Sequence, residues 1–114
     1  MSSLLAALWL VTECFSALPA PVCARLWHRC LHVESGFDPE AVNPRSGACG
    51  IGGVIPRWSR YSCEQQRDPR TSARAAVEAA AEWHGMAGEC WEVGYSGRGW
   101  GKVRECRQRG GDHE

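Results

Sequence analysis

An excess of charge of either sign is missing from this chain of 114 residues: Lys plus Arg and Asp plus Glu each number 13, and the formal net charge is zero. No net charge draws the molecule towards nucleic acid or an anionic membrane, and no nucleic-acid partner is expected. No apolar run reaches the ~20 residues that cross a bilayer, so stable membrane insertion is not expected either. The seven cysteines contain no C-x-x-C pair, which argues against a structural zinc site and leaves no metal or other cofactor to expect. No segment alternates apolar and polar residues for long enough to predict a sheet. What is left is a mainly α chain of about one domain's length.

Cysteine, glycine, proline and tryptophan are present in quantity: seven, 13, six and six. Small domains with thin cores are commonly stapled by disulfides in oxidising compartments, so a disulfide-stapled, exported protein is expected. The first twenty residues, MSSLLAALWLVTECFSALPA, have an apolar stretch from Leu4 to Val11 and end in small residues, as a secretory leader does. They lack a basic start, and Glu13 interrupts them. Two readings therefore stand for residues 1–20: a signal peptide, or a first helix kept in the fold. If Cys14 leaves with a leader, the other six cysteines suffice for three bridges, whose pairing the spacing does not choose.

Pro19 and Pro21 break the chain. From Val22 to about Glu34 the sequence predicts a helix with Val22, Leu26, Cys30 and Val33 near one face. Ser35, Gly36, Asp38 and Pro39 end it in a turn, Asn43, Pro44, Ser46 and Gly47 make another, and residues 35–53 read as an ordered loop in which Asp38 caps. Asp68 and Pro69 open the clearest helix, with Ala73, Ala76, Val77, Ala80 and Trp83 at helical spacing, a stop at Gly85, and a solvated face of Arg74, Glu78 and Glu82. Glycines at 94, 97, 99 and 101 predict a loop, and residues 104–114 a polar, frayed tail.

Glu34 is the residue that invites chemistry. At the C-terminus of a helix its carboxyl group meets unpaired carbonyls at the negative end of the dipole, which favours the protonated form, and cover by Val33 or Phe37 adds to that effect. A carboxylic acid so placed can donate a proton to a glycosidic oxygen. The ordinary reading of a glutamate at a helix end is a solvated surface group. His28 and His32, four apart with Cys30 between them, are read as exposed or as cleft rim, since no third ligand stands at a telling spacing.

The residues around Glu34 add a resemblance. The stretch His32-Val33-Glu34-Ser35-Gly36-Phe37-Asp38-Pro39-Glu40-Ala41-Val42-Asn43-Pro44, then Ser46-Gly47-Ala48-Cys49-Gly50-Ile51 and Val54-Ile55-Pro56, resembles the catalytic segment of the soluble lytic transglycosylase and goose-type lysozyme branch of the lysozyme-like superfamily. Asp68-Pro69-Arg70-Thr71 and Gly94-Tyr95-Ser96 are similar to two later segments of that family. The resemblance covers roughly residues 22–100 and implies a lysozyme-like domain over 21–103. It implies that Glu34 is the acid at the bond between N-acetylmuramic acid and N-acetylglucosamine. Ser35 stands beside that acid and Tyr95 lines the cleft. Gly52 and Gly53 stand where the family has Met-Gln, a departure that removes a substrate-facing glutamine and allows a weakened or inactive member.

Most glycosidases use two carboxyl groups. The position at which animal-type lysozymes place their aspartate is Ile51 here, a residue expected only to contact substrate, and no other acid makes a convincing partner. A single acid is what the transglycosylase branch uses, so lytic transglycosylation is the leading expectation. Hydrolysis by a bound water is the alternative, and a non-catalytic wall-binding member or a stapled effector are the others. Trp91 and Trp100, in the glycine-rich stretch, are expected to offer flat faces to sugar rings, whereas Trp83 is expected in the core. The expected partner is the peptidoglycan glycan strand, met by a monomer that is secreted, periplasmic or carried by a phage.

Overall fold

The computed structural model describes residues 2–110. The chain is mainly helical, and among the described residues no strand forms beyond two isolated antiparallel bridges, Val42 with Cys49 and Cys49 with Val54. It divides into two units, one up to Glu78 and one from Ala79 onwards.

The first unit opens with α1 (Ser2–Phe15). Ala6, Ala7, Leu10 and Cys14 bury one side of it, while Leu4, Leu5, Leu8, Val11 and Phe15 remain exposed. A helix apolar on both sides reads in sequence like a leader. Its residues are nonetheless tied to the unit, by the Cys14–Cys23 disulfide and by Glu13, whose carboxylate receives Arg70 at 3.3 Å and Arg74 at 3.2 Å. Cysteine 14 is thus bridged, and the cysteine left over is the buried Cys30.

Helix α2 (Ala20–His28) starts after Pro19 and carries Pro21 in its first turn, where a missing N–H costs nothing. It runs into a π-helical turn, Arg29–Glu34. The expected helix over 22–34 is present with this change of winding, which alters its faces. Val22, Leu26 and Cys30 are buried as their spacing predicts, but the wider turn carries Val33 out to 57% exposure. Three successive amides, of Ser35, Gly36 and Phe37, then converge on the Cys30 carbonyl at 3.2, 2.9 and 3.3 Å and close the helix. Gly36 and Phe37 both have positive φ, 66° and 64°. For a bulky residue such as phenylalanine that conformation is strained, and Phe37 is held in it by burial of its ring against Trp27, with centroids 4.6 Å apart.

Helix α3 (Pro69–Ala87) begins in the first unit. Asp68 caps it, its Oδ2 accepting from the Thr71 amide and hydroxyl at 3.0 Å each, with Pro69 at the first helical position. Ala73, Ala76, Val77 and Ala80 are buried as expected. The expected stop at Gly85 is corrected: the helix continues to Ala87, and Gly88, at φ 58°, supplies the left-handed residue that ends it.

The second unit contains α4 (Trp91–Tyr95) and α5 (Trp100–Gln108), joined by the Cys90–Cys106 disulfide over a cluster of Ala87, Cys90, Val93, Val103 and Cys106 with Trp83 packed on it. The glycine-rich stretch is therefore not one loop. Gly94 sits inside α4 because the Trp83 ring occupies the place of a Cβ. Of the tail expected from residue 104 onwards, the part up to Gln108 belongs to α5, which buries Cys106. The last four residues of the expected tail, 111–114, lie outside the described residues.

Candidate functional site

Glu34 ends the π turn and lines a cleft of about 500 Å3 together with Val33, Ala41, Val42, Asn43, Arg45 and the backbone around Gly50 and Gly53. All of its lining residues belong to the first unit. The facing wall is a loop held by short backbone bonds: Asn43 N–H to Ala48 O at 2.7 Å, Gly50 N–H to Ala41 O at 3.0 Å, and a reciprocal pair between Cys49 and Val54 at 3.0 and 2.9 Å. The Cys49–Cys63 disulfide pins the middle of that wall. Asn43 Oδ1 accepts from the Arg45 amide at 2.9 Å and Asp38 Oδ1 from the Glu40 amide at 2.9 Å, so Asp38 caps a turn as expected.

The Glu34 side chain is 19% exposed and its Oε2 accepts a hydrogen bond from Arg29 Nη2 at 2.7 Å. Arg29, itself 12% exposed, is the residue of this site that sequence reasoning missed. Five positions apart on a regular helix, two side chains point about 140° away from each other; the π turn brings them together, and nothing in the residue types announces it. The cover expected from Val33 and Phe37 is different in fact, for Val33 is exposed and Phe37 packs on Trp27. Gly53 lies against Glu34 so closely that a Cβ there would collide with Oε1, and its φ of 59° also favours glycine. The thiol of Cys30 next to Arg29 is pushed well above the usual cysteine range, by burial first and by the Glu34 charge second.

Ser35 and Ile51 meet in this site through structure. Ser35 Oγ donates to Ile51 O at 2.9 Å, and the Ile51 amide donates to Ser72 Oγ at 2.8 Å, a chain that fixes the end of the π turn to the loop and the loop to the first turns of α3. The Ile51 side chain is wholly buried, which corrects its expected contact with substrate: it is core, and its backbone does the positioning. Trp91, 1% exposed, is likewise a core residue of the second unit and offers no face to a sugar. Tyr95 is half-buried, edge-on to Trp91 at 5.8 Å, and Trp100 is 46% exposed beside Trp83 at 5.3 Å.

Glu34 is the only acid among the described residues lining the cleft. His28 and His32 are exposed, with ring centroids 4.8 Å apart. Among the described residues no group of three or more His, Cys, Asp or Glu could hold a metal ion, and no helix is long and apolar enough to cross a membrane.

On the face of α3 expected to be solvated, Arg74 and Glu78 are partly exposed and Glu82 exposed, and the first two also form ion pairs. Glu78 receives Arg60 at 2.7 and 3.0 Å and Tyr61 Oη at 3.1 Å, and the Arg60 hydrogen bond, as the largest cause, holds its carboxyl below the usual range. Arg74 reaches Glu13. Around a second, smaller hollow these groups satisfy one another. Comparison with protein-family models, with curated proteins and with solved structures finds no match for this chain.

Proposed function

We propose that the chain cleaves the glycan strands of peptidoglycan at the β-1,4 bond between N-acetylmuramic acid and N-acetylglucosamine, with Glu34 as acid and then base, as a lytic transglycosylase. The observation that carries the reading is Glu34 as a mostly buried carboxyl group, the one acid among the described residues that line the cleft. Most glycosidases use two carboxyl groups, whereas substrate-assisted cleavage needs only one. The cleft volume also falls within the usual range for ligand sites.

In the first half of the reaction the Glu34 proton passes to the glycosidic oxygen, and the C1–O bond breaks with its electron pair going to the leaving sugar. The N-acetyl carbonyl oxygen of the same muramic acid holds C1 meanwhile. In the second half the C6 hydroxyl bonds to C1 as the bond from the N-acetyl oxygen to C1 breaks and its electron pair returns to the acetamido group, and the hydroxyl proton passes to Glu34, leaving a 1,6-anhydro end. Water in place of that hydroxyl gives hydrolysis, the reading favoured if the cleft admits solvent at that step. The three disulfides fit a protein that works in an oxidising compartment, reached by export or in a phage particle.

Purified walls incubated with wild-type protein and with Glu34→Gln test the reading. Clearing per folded molecule falls by at least ~10³-fold in Glu34→Gln, because the amide keeps the shape of the side chain but has no acidic proton to give. Mass spectrometry of the products separates the two chemistries, since anhydro and reducing ends differ by one water. Retention of half the turnover in Glu34→Gln ends the catalytic assignment; wall binding without products makes the chain a binding module. Tyr95 and Trp100 are the second unit's candidates for sugar contact, read by the same assay on Tyr95→Phe and Trp100→Ala.

A further inference from the structure

We infer that Arg29 is a positioning residue for Glu34, fixing which carboxylate oxygen faces the scissile bond; the inference rests on the glycan-cleaving reading of this cleft. Arg29 Nη2 lies 2.7 Å from Oε2, and Gly53 stands against Oε1. The carboxylate is thus clamped from one side by a guanidinium and approached on the other by a residue without a side chain. Oε1, the oxygen at the cleft residue Gly53, is the one that exchanges the proton.

The clamp depends on the winding of the chain. The Ser35 amide bonds to Cys30 O, five residues back, and this wider turn sets residues 29 and 34 on one side. Winding of this kind is uncommon and concentrates at functional sites. An exposed pair of this type contributes little, whereas here both side chains are largely out of water, so the geometry is held firmly and each partner depends on the other. The pair also has a chemical use. As Glu34 loses its proton to the leaving oxygen, the charge that appears on it is met by a cation already in place, with no reorganisation to make.

The test uses the full chain and three variants, Arg29→Lys, Arg29→Met and Glu34→Ala. Nitrogen-15 NMR of the arginine side chains reads the clamp without reference to activity. Separate, slowly exchanging Nη–H signals from Arg29 are expected in the wild type, collapsing in Glu34→Ala; a freely rotating Arg29 in the wild type overturns the inference. On isolated peptidoglycan, Arg29→Met lowers kcat about 100-fold with KM within about threefold, the cost of an acid that is present but misplaced. Arg29→Lys, which can still place one donor on Oε2, recovers at least a tenth of the wild-type kcat. An unchanged kcat in Arg29→Met overturns the inference. So does a loss that tracks the unfolded fraction seen by circular dichroism and is not recovered by lysine. A wild type that makes no product but shows a restrained Arg29 refutes the glycan-cleaving reading and leaves the ion pair standing, so the two failures are told apart.

Discussion

At position 53 two constraints fall on one residue. A φ of 59° is accessible to glycine at little cost and to other residues at about 1–2 kcal/mol, and the place of a Cβ is taken by the Glu34 carboxylate. From sequence, Gly53 registers as a lost glutamine. In the structure it is the residue that leaves room for the acid. If the proposed glycan cleavage by Glu34 holds, Gly53→Ala should cost more activity than stability: about 1–2 kcal/mol from the backbone, and about 100-fold in turnover from a carboxyl group moved by the order of 1 Å. Gly47 is the control, because its φ is 77° and nothing lies within 4 Å of a Cβ built there. Gly47→Ala should lose similar stability while turnover per folded molecule stays at the wild-type level. Equal turnover in the two variants would show that Gly53 has no particular relation to Glu34.

Among the elements, α3 shows how far residue types alone can be read. Its start was legible because Asp68 and Pro69 act locally, a side-chain oxygen on the Thr71 amide and a ring at the first helical position. Its end was not, because Gly85 and Gly88 are equally able to stop a helix and only backbone conformation distinguishes them. The same holds for the π turn, whose widened winding has no marker in residue type, and for α4 and α5. There Gly94 looks like a loop residue until the Trp83 ring is placed against it. The cap carries a prediction. Asp68→Ala should destabilise the first unit by about 1 kcal/mol in a denaturant melt at neutral pH. Hydrogen bonds from Thr71, the backbone one first, hold the Asp68 carboxyl below its ordinary value of 3.8, so the folded state binds its proton less readily than the unfolded chain. The contribution is complete above that ordinary value and is lost as pH falls through the lower folded value. The difference between wild type and Asp68→Ala should accordingly shrink below pH ~4, and a gap that stays constant down to pH ~2 would assign the stabilisation to something other than the charged cap.

For the whole molecule, the disulfides divide as the units do. Cys14–Cys23 and Cys49–Cys63 belong to the first, Cys90–Cys106 to the second, and none joins them. In the second unit the Cys90–Cys106 bridge lies within the small apolar cluster of Ala87, Val93 and Val103, so a share of that unit's stability rests on it. A mainly helical, stapled chain was legible from composition, because cysteine count and helical spacing are properties of the sequence itself. The place of Glu34 at the end of a helical segment was legible from the Ser35 and Gly36 that follow it. Arg29 was not, because the π winding that turns it to Glu34 has no marker in residue type, and the Gly53 contact and the buried states of Ile51 and Trp91 were not, because each depends on which residues other parts of the chain bring alongside.

The pairing pattern has a further consequence when the chain is considered in the order in which it is made. Cys14 meets Cys23 first and correctly, and Cys90 meets Cys106 last and correctly, each partner being the next cysteine to emerge. Between them Cys30 emerges before Cys49 has a proper partner, and the loop it would close with Cys49 is only somewhat longer than the native Cys49–Cys63 loop of separation 14. Closure cost rises slowly with loop length, so the wrong bridge forms nearly as readily and forms earlier. Undoing it requires thiol–disulfide exchange, which takes seconds to hours depending on oxidant and isomerase. Production of the chain in an oxidising compartment should then depend on an isomerase, and Cys30→Ala should lift that dependence. Peptide mapping of bridges in material made without isomerase checks this: a rise of at least twofold in the natively paired fraction is expected, and an equal fraction in both chains would mean that the first unit folds around Cys30 before Cys49 can reach it.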